Sequence, residues 1–335
     1  MKISAALSRR SAVIFPCLLL IVLLALPAAG LSANMVRMLF LTAVWTITSL
    51  SWNLLGGFAG QVSFGFAVFY GLGAYSTALL MHAGVNPYVS FLGAAATAAL
   101  ASVVIGLPTF RLRGPYFAIA TIGVTEAVRV VMNNLDITGG ASGYRVTEPG
   151  PFRPLEHYYT AIAAVAFAVV VSVVISRSRF GLALRAIKQD EDAAADLGVN
   201  PYTCKLRIHA VAAALTGIAG GIYARRAAFI HPGDVFAFQT GISILLMPVI
   251  GGIGTVWGAV LGGVTFGLVE QELVANFPQV HLLLYGSLLI LIVLLEPNGL
   301  VGLLRRLFRR TREDSGSQDA DKVFWGRGGL EGRKL

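Results

Sequence analysis

AIAAVAFAVVVSVVISRSRFGLALRAIKQDEDAAADLGVNPYTCK, residues 161 to 205, contains both kinds of sequence from which this chain is built. Up to Ser176 it is apolar and uncharged, the end of a run that begins near His157. From Arg177 to Arg207 it is polar and helix-prone, and apolar sequence resumes at Ile208. A bilayer core demands roughly 17 to 25 apolar residues per helix. Working outward from 157–176, nine further apolar segments lie near 12–30, 35–55, 62–82, 88–108, 115–133, 208–228, 240–255, 256–274 and 281–301. Eight of the ten are long enough alone; 240–255 and 256–274 are Gly-broken halves of one stretch. With 335 residues, 56% hydrophobic and only 13% charged, the chain cannot cover a soluble surface. The expected fold is all-α, a polytopic integral membrane protein of about ten transmembrane helices.

The net charge of +9 is explained by where it lies. With the N-terminus inside, the inside segments carry Lys2, Arg9 and Arg10, then Arg111 and Arg113, then six basic residues from Arg177 to Arg207, then nine after Leu304. Twenty of the 26 basic residues thus fall on one side, as cytoplasmic loops require. The charge is therefore a topology signal and not a nucleic-acid footprint. Both termini are expected to be cytoplasmic. Residues 1 to 30 resemble a signal peptide, but their apolar run is longer than an h-region, which favours a retained first span. The mixed-charge segment 305–335 reads as a disordered cytoplasmic tail. Cys17 and Cys204 have no partner spacing, and the five histidines show no metal-ligand spacing, so no metal site is expected.

Two Gly-rich stretches echo each other. GGFAGQVSFGFAVFYGLG starts at Gly56 and GGIGTVWGAVLGGVTFG at Gly251. If spans one to five and six to ten are duplicates, their odd number makes them inverted repeats with a solute route between them. Shared composition from close helix packing explains the echo equally well. The same two readings stand for the residues themselves. Gly56, Gly57, Gly60, Gln61, Ser63 and Gly65, matched by Gly251, Gly252 and Gly254, can supply unwound backbone along a translocation path or merely small contact surfaces.

On a helix of about 100° per residue, Ala183, Ile187, Ala194 and Leu197 form one stripe of the polar loop. Arg185, Lys188, Gln189, Asp192 and Asp196 lie opposite. Asp190 falls on the apolar stripe, so two short helices fit better than one. Asp190 is the expected N-cap of the second, Glu191 and Asp192 sit in its first turn, Gly198 ends it and Pro201 prevents continuation. Four carboxylates would be repelled by anionic headgroups, so the element is expected to dock in a protein groove rather than on lipid.

Asp192-Ala193-Ala194 followed three residues later by Gly198 resembles the EAA-x-x-x-G coupling motif of ABC importer permeases, with Asp for Glu. Ile208 stands at the place of that motif's Ile, while His209 and Ala210 replace its Leu-Pro. NLLGGFAGQVSFGFAVFYGLGAY, RLRGPYFAIATIGVTE, the TGG at Thr138 to Gly140, RFGLALRAIKQDEDAAADLGV and LLEPNGLVG follow in order from Asn53 to Gly302. Together they are similar to the branched-chain amino acid ABC permease family, LivM type. The resemblance implies a membrane domain over 1–304 that includes a cytoplasmic coupling loop at 177–207. It implies partners: two ABC ATPase subunits, a second permease of the LivH type and a periplasmic solute-binding protein, in a bacterial inner membrane. It also implies that Arg179, Phe180, Gly181 and Arg185, with Asp192, Ala193, Ala194 and Gly198, form the coupling element. Arg225 and Arg226 depart from the small or apolar residues expected there.

No G-x-x-x-x-G-K-[ST] phosphate loop occurs, so ATP is expected to be bound by partner subunits, with no cofactor in this chain and no enzymatic activity of its own. Glu126 and Arg129, spaced i, i+3, pair most simply with each other rather than forming a proton relay. Energy must then come from a partner acting on the charged loop. The expected cargo is a branched-chain or related amino acid. The alternatives are urea, short amides or aromatic acids in the same class, and a stand-alone ion-coupled carrier in another.

Overall fold

The computed structural model describes residues 32–147, 153–276, 280, 283, 286–287 and 299–302. The expected first span at 12–30, most of the last at 281–301 and the tail at 305–335 lie outside the described residues. Within them the chain is helical. The long elements are α1 (Ala33–Trp52), continued by a π-helical turn (Asn53–Phe58), α2 (Phe66–His82), α3 (Pro87–Thr109), α4 (Pro115–Asn134) and α5 (Pro154–Arg177). The charged loop forms α6 (Arg179–Gln189) and α7 (Glu191–Asp196). Then come α8 (Pro201–Ala227), the short α9 (Pro232–Val235), α10 (Phe238–Gly251) and α11 (Val256–Asn276).

Among the described residues six helical stretches are long and apolar enough to cross a membrane: Ala33–Phe58, Pro87–Thr109, Pro115–Asn134, Pro154–Arg177, Pro201–Ala227 and Pro232–Gly251. Phe66–His82 is a shorter apolar helix. An all-α, multi-pass membrane protein is therefore the architecture, while ten spans exceed what the described residues display. The one departure from all-helix among them is a two-residue antiparallel ladder, Tyr144–Arg145 (β1) with Phe229–Ile230 (β2).

Proline sets the starts. Pro87, Pro115, Pro154, Pro201 and Pro232 each open a helix, where the missing N–H is not needed and φ is already helical. Asn86 and Asn200 cap two of these helices, accepting from Tyr88 N at 2.9 Å and Thr203 N at 3.1 Å. Pro201 therefore begins α8, besides following the end of α7.

Of the six stretches long enough to cross a membrane, the one formed by α8 is the most enclosed after that of α1, and it lies against α2 and α3. Lipid supplies no hydrophobic drive between helices, so close backbone approach must do the work. A Cβ on Gly220 would stand 2.0 Å from the Tyr70 carbonyl, and one on Gly217 would stand 2.6 Å from that of Ala94.

Arg225 and Arg226, unexpected from sequence, are both accommodated at the far end of α8. Arg225 Nη2 bonds Glu156 Oε1 at 2.7 Å, the Tyr88 hydroxyl donates to the same oxygen at 3.1 Å, and the guanidinium lies over the Tyr88 ring. Arg226 lies over the Phe40 ring, 5.2 Å from its centroid. Glu126 and Arg129 pair with each other, with Nε to Oε2 at 2.9 Å.

Candidate functional site

The charged loop folds as two capped helices held against one end of the bundle. Ser178 caps α6, its hydroxyl accepting from Gly181 N at 3.1 Å. Gly181 is pressed so close to the end of α5 that a Cβ would be 2.1 Å from the Ile175 carbonyl. Leu184 and Ile187 are buried, Phe180 is half-buried against the core, and Arg179 and Arg185 are exposed. Arg185 ties α6 back to the end of α5 through the Ser176 carbonyl.

Asp190 separates the helices. Its extended backbone (φ −157°, ψ 121°) breaks α6, and its carboxylate accepts from Asp192 N and Ala193 N at 2.9 Å each. Gly198 terminates α7 in the left-handed conformation (φ +85°). The amides of Gly198 and Val199 then satisfy the carbonyls of Ala195 and Ala194, at 2.9 and 3.1 Å.

The two short helices expected from Asp190 form, and the residues of the 183–197 stripe do not all face the same way. Ala194 is buried against its own chain at 2% exposure, whereas Leu197 is 83% and Leu182 67% exposed. Leu184, which the stripe omitted, faces inward. Ala193 and Asp192 are exposed. The outward apolar groups are thus Leu182 and Leu197, and Ala194 belongs to the internal face.

Two cations anchor the element. Lys205, on the first turns of α8, is buried with its side chain 1% exposed and bonds Glu191 Oε1 at 2.7 Å, beside the Phe110 ring. Lys188, on the polar face where helical phase places it, is exposed and reaches across to donate to the Gly57 carbonyl at 2.9 Å. A third, exposed pair joins Arg113 to Asp192 in two parallel bonds of 3.0 Å, which holds the guanidinium above its ordinary pKa. At that exposure the pair contributes little to stability.

The Lys188 contact brings the loop to both Gly-rich breaks. α1 passes into the π-turn at Asn53, and π-turns are local disruptions often found at functional positions. The Asn53 side chain spans to the other break: Nδ2 donates to the Thr255 carbonyl at 3.1 Å, and Oδ1 accepts from Gly254 N at 2.9 Å. Gly57 must lack a side chain here, since a Cβ would be 2.0 Å from Asn53 Oδ1 and 2.8 Å from Gly254 N. Gly254, at φ +79°, lies 3.3 Å (from its Cβ position) from Lys188 Nζ. A cleft of about 410 Å³ opens between α6 and these breaks, lined by Gly57, Phe58, Leu182, Arg185, Lys188 and Ile253 among others.

The candidate path residues are thereby placed. Gly56 and Gly57 are in the π-turn, Gly60 packs beside Lys188, and Gln61 is half-buried. Ser63 is buried; its carbonyl accepts from Trp52 Nε1 at 2.8 Å and its hydroxyl from Gly65 N at 3.1 Å. Gly251 and Gly252 close α10. Gly57, Gly60 and Gly254 lie beside the charged loop, at one end of the bundle. Sequence reasoning missed Asn53, Thr255 and the pairing of Glu191 with Lys205, and gave Lys188 and Lys205 no role beyond their charge. The signal for Asn53 was available: it is an amide inside an apolar helix, where an unsatisfied polar group is costly.

Residues 34–293 match the family described as branched-chain amino acid transport system, permease component. The chain is 31% identical over 322 residues to the high-affinity branched-chain amino acid transport system permease protein LivM of Escherichia coli, covering 86% of this chain and 75% of that protein. It is 34% identical over 144 residues to BraD of Pseudomonas aeruginosa, a permease protein of the same description, covering 42% and 46% of the two chains. It is 24% identical over 286 residues to the permease protein LivH of Salmonella typhimurium, covering 78% and 92%.

Proposed function

The chain belongs to the branched-chain amino acid permease family, and from that premise we propose that it carries branched-chain amino acids through the inner membrane as the LivM-type half of an ABC importer. It is a transport permease and not an enzyme. A second permease of the LivH type completes the route, two ABC ATPases bind ATP on the cytoplasmic side, and a periplasmic binding protein delivers cargo. The basic asymmetry of the loops supports cytoplasmic termini and a total of ten spans. The echo of the Gly-rich stretch at Gly56 by that at Gly251 supports two related halves arranged as inverted repeats.

One observation carries the coupling mechanism. α6 and α7 present Leu182 and Leu197 outward, while the exposed Lys188 reaches across to hold the backbone of the π-turn. A closing ATPase that seats the leucines pushes α6, and Lys188 transmits the movement to Gly57 and, through Asn53, to Gly254. Leu197→Glu puts a charge on the outward face and leaves the internal packing untouched. Affinity purification of the assembled complex should then retain the LivH-type permease and lose the ATPase, with binding at least about tenfold weaker, as for a desolvated anchor at an interface centre. Retention of the ATPase at wild-type level would remove this face from the docking surface.

Lys188→Met tests the transmission step. The complex should still assemble, but uptake in proteoliposomes should fall several-fold while ATP hydrolysis continues, because a charge-assisted bond worth about 1.5–3 kcal/mol is absent. Unchanged uptake per ATP would show that force travels elsewhere.

A further inference from the structure

Three of the long helices leave one face uncovered, and the faces differ in kind. The outward residues of α3 include Val89, Leu92, Leu100 and Val104, and those of α5 include Leu155, Phe167, Val170 and Val174. Between their ends both faces are uncharged and suit lipid tails. α4 carries an outward stripe at the same helical spacing, Tyr116, Ile119, Gly123, Glu126 and Val130, and the middle of this one is charged. The opposite side of α4 fixes its rotation. Phe117 stacks on Phe110 at 5.1 Å, and the Thr121 hydroxyl accepts from Phe64 N, just ahead of α2, at 3.1 Å.

At about 1.5 Å per residue, Glu126 lies about 16 Å from the first residue of α4 and about 12 Å from the last. A hydrocarbon core is about 30 Å thick, so the carboxylate is near its middle. Arg129 binds it through Nε to Oε2 at 2.9 Å and through Nη2 to Oε1. The guanidinium thus points back along the helix to Glu126, instead of reaching for the nearer water surface as a lipid-facing arginine does. Both side chains stay open, 52% exposed for Glu126 and 34% for Arg129. Two of the five guanidinium N–H groups are used by Glu126, and the other three have no acceptor among the described residues. Lipid tails offer none, and charges within a span face protein or a water-filled cavity.

We infer that the outward stripe of α4 is the surface against which the second permease packs, so that Glu126 and Arg129 meet polar groups of that chain while α3 and α5 face lipid. This rests on the proposed two-permease assembly. The other proposed partners, the ATPases and the binding protein, are soluble and reach the membrane surfaces, not a charge about 12 Å inside the span. A chain that itself crosses the bilayer can cover the pair. Gly123, with open space around its Cβ position, lies between Ile119 and Glu126 and lets a neighbouring helix approach closely.

The test replaces Ile119 or Val130 of the stripe with a photo-reactive benzophenone side chain, and Leu100 of α3 or Val170 of α5 for comparison. All four side chains point outward, so the probe displaces no internal packing. Membranes holding the whole assembly are irradiated, the chain is affinity-purified, and cross-linked peptides are identified by mass spectrometry. Ile119 and Val130 should link to the second permease, with a yield several-fold above that from Leu100 and Val170. Equal yields from all four positions would overturn the assignment. So would links from Ile119 and Val130 to another copy of this chain, or no protein product there. Purification without irradiation comes first: if no second permease accompanies the wild-type chain, the two-permease assembly itself fails, and that failure is recognised before any cross-link is read.

Discussion

Asn53→Ala should destabilise the junction between the two helix breaks more than any other single polar substitution in the described residues. The side chain makes two bonds at once, to Gly254 N and the Thr255 carbonyl, 201 and 202 residues away in sequence. Asn53 itself is 1% exposed. Alanine leaves both half-buried backbone groups without their partner, at up to about 1–3 kcal/mol each. The summed cost of up to about 2–6 kcal/mol is a large part of what a folded domain has in hand. Thermal unfolding in mild detergent should show a lowered transition, and the protein should accumulate poorly in the membrane. Any protein that survives should take up cargo slowly, since Lys188 then pushes on a break no longer joined to the second one. An unaltered transition temperature would mean that the Asn53 clasp contributes nothing and that helix packing alone holds the breaks.

Lys205→Met should be the second large effect. Lys205 is almost fully enclosed and its partner Glu191 is 24% exposed, so the pair is buried on one side only. Removing one member of a buried pair costs about 3–5 kcal/mol because the other charge stays behind. The partial exposure of Glu191 lets water reach it and moves the expectation to the lower end of that range. Hydrogen exchange of the amides from Glu191 to Asp196 should accelerate, and protease should cut the 190–200 segment sooner. Glu191→Gln combined with Lys205→Met should recover part of the loss, which a double-mutant cycle reads as coupling energy. Arg113→Ala removes the exposed pair with Asp192 and should change stability by no more than about 1 kcal/mol. Equal effects at Lys205 and Arg113 would contradict the buried anchor.

The three cations of the loop region show how far residue patterns reach. Lys188, Lys205 and Arg113 are indistinguishable in sequence as basic residues on the inside of a membrane protein, and that count alone gives the topology. Their partners separate them: Gly57 lies 131 residues before Lys188, Glu191 lies 14 before Lys205, and Asp192 lies 79 after Arg113. Helical phase put Lys188 on the polar face of α6, which is correct for an isolated helix. It stays exposed there, and its long side chain reaches the Gly57 carbonyl of the neighbouring π-turn. Ala194 and Leu197 differ because the short helix ends at Asp196, so Leu197 lies past its last turn and no longer follows the helical phase that buries Ala194.

What the sequence by itself determined is local or compositional. Apolar length dictates membrane helices through the thickness of the hydrocarbon core, and prolines and Asn or Asp caps place their ends within a few residues of those observed. Basic asymmetry indicates sidedness, and the Asp190 and Gly198 signals delimit two short helices. Tertiary structure alone decided which helix breaks meet, which cations are anchors and where Arg225 finds its surroundings. These depend on partners up to some two hundred residues away, and on a solvent of lipid that leaves every buried polar group to be satisfied by the chain itself.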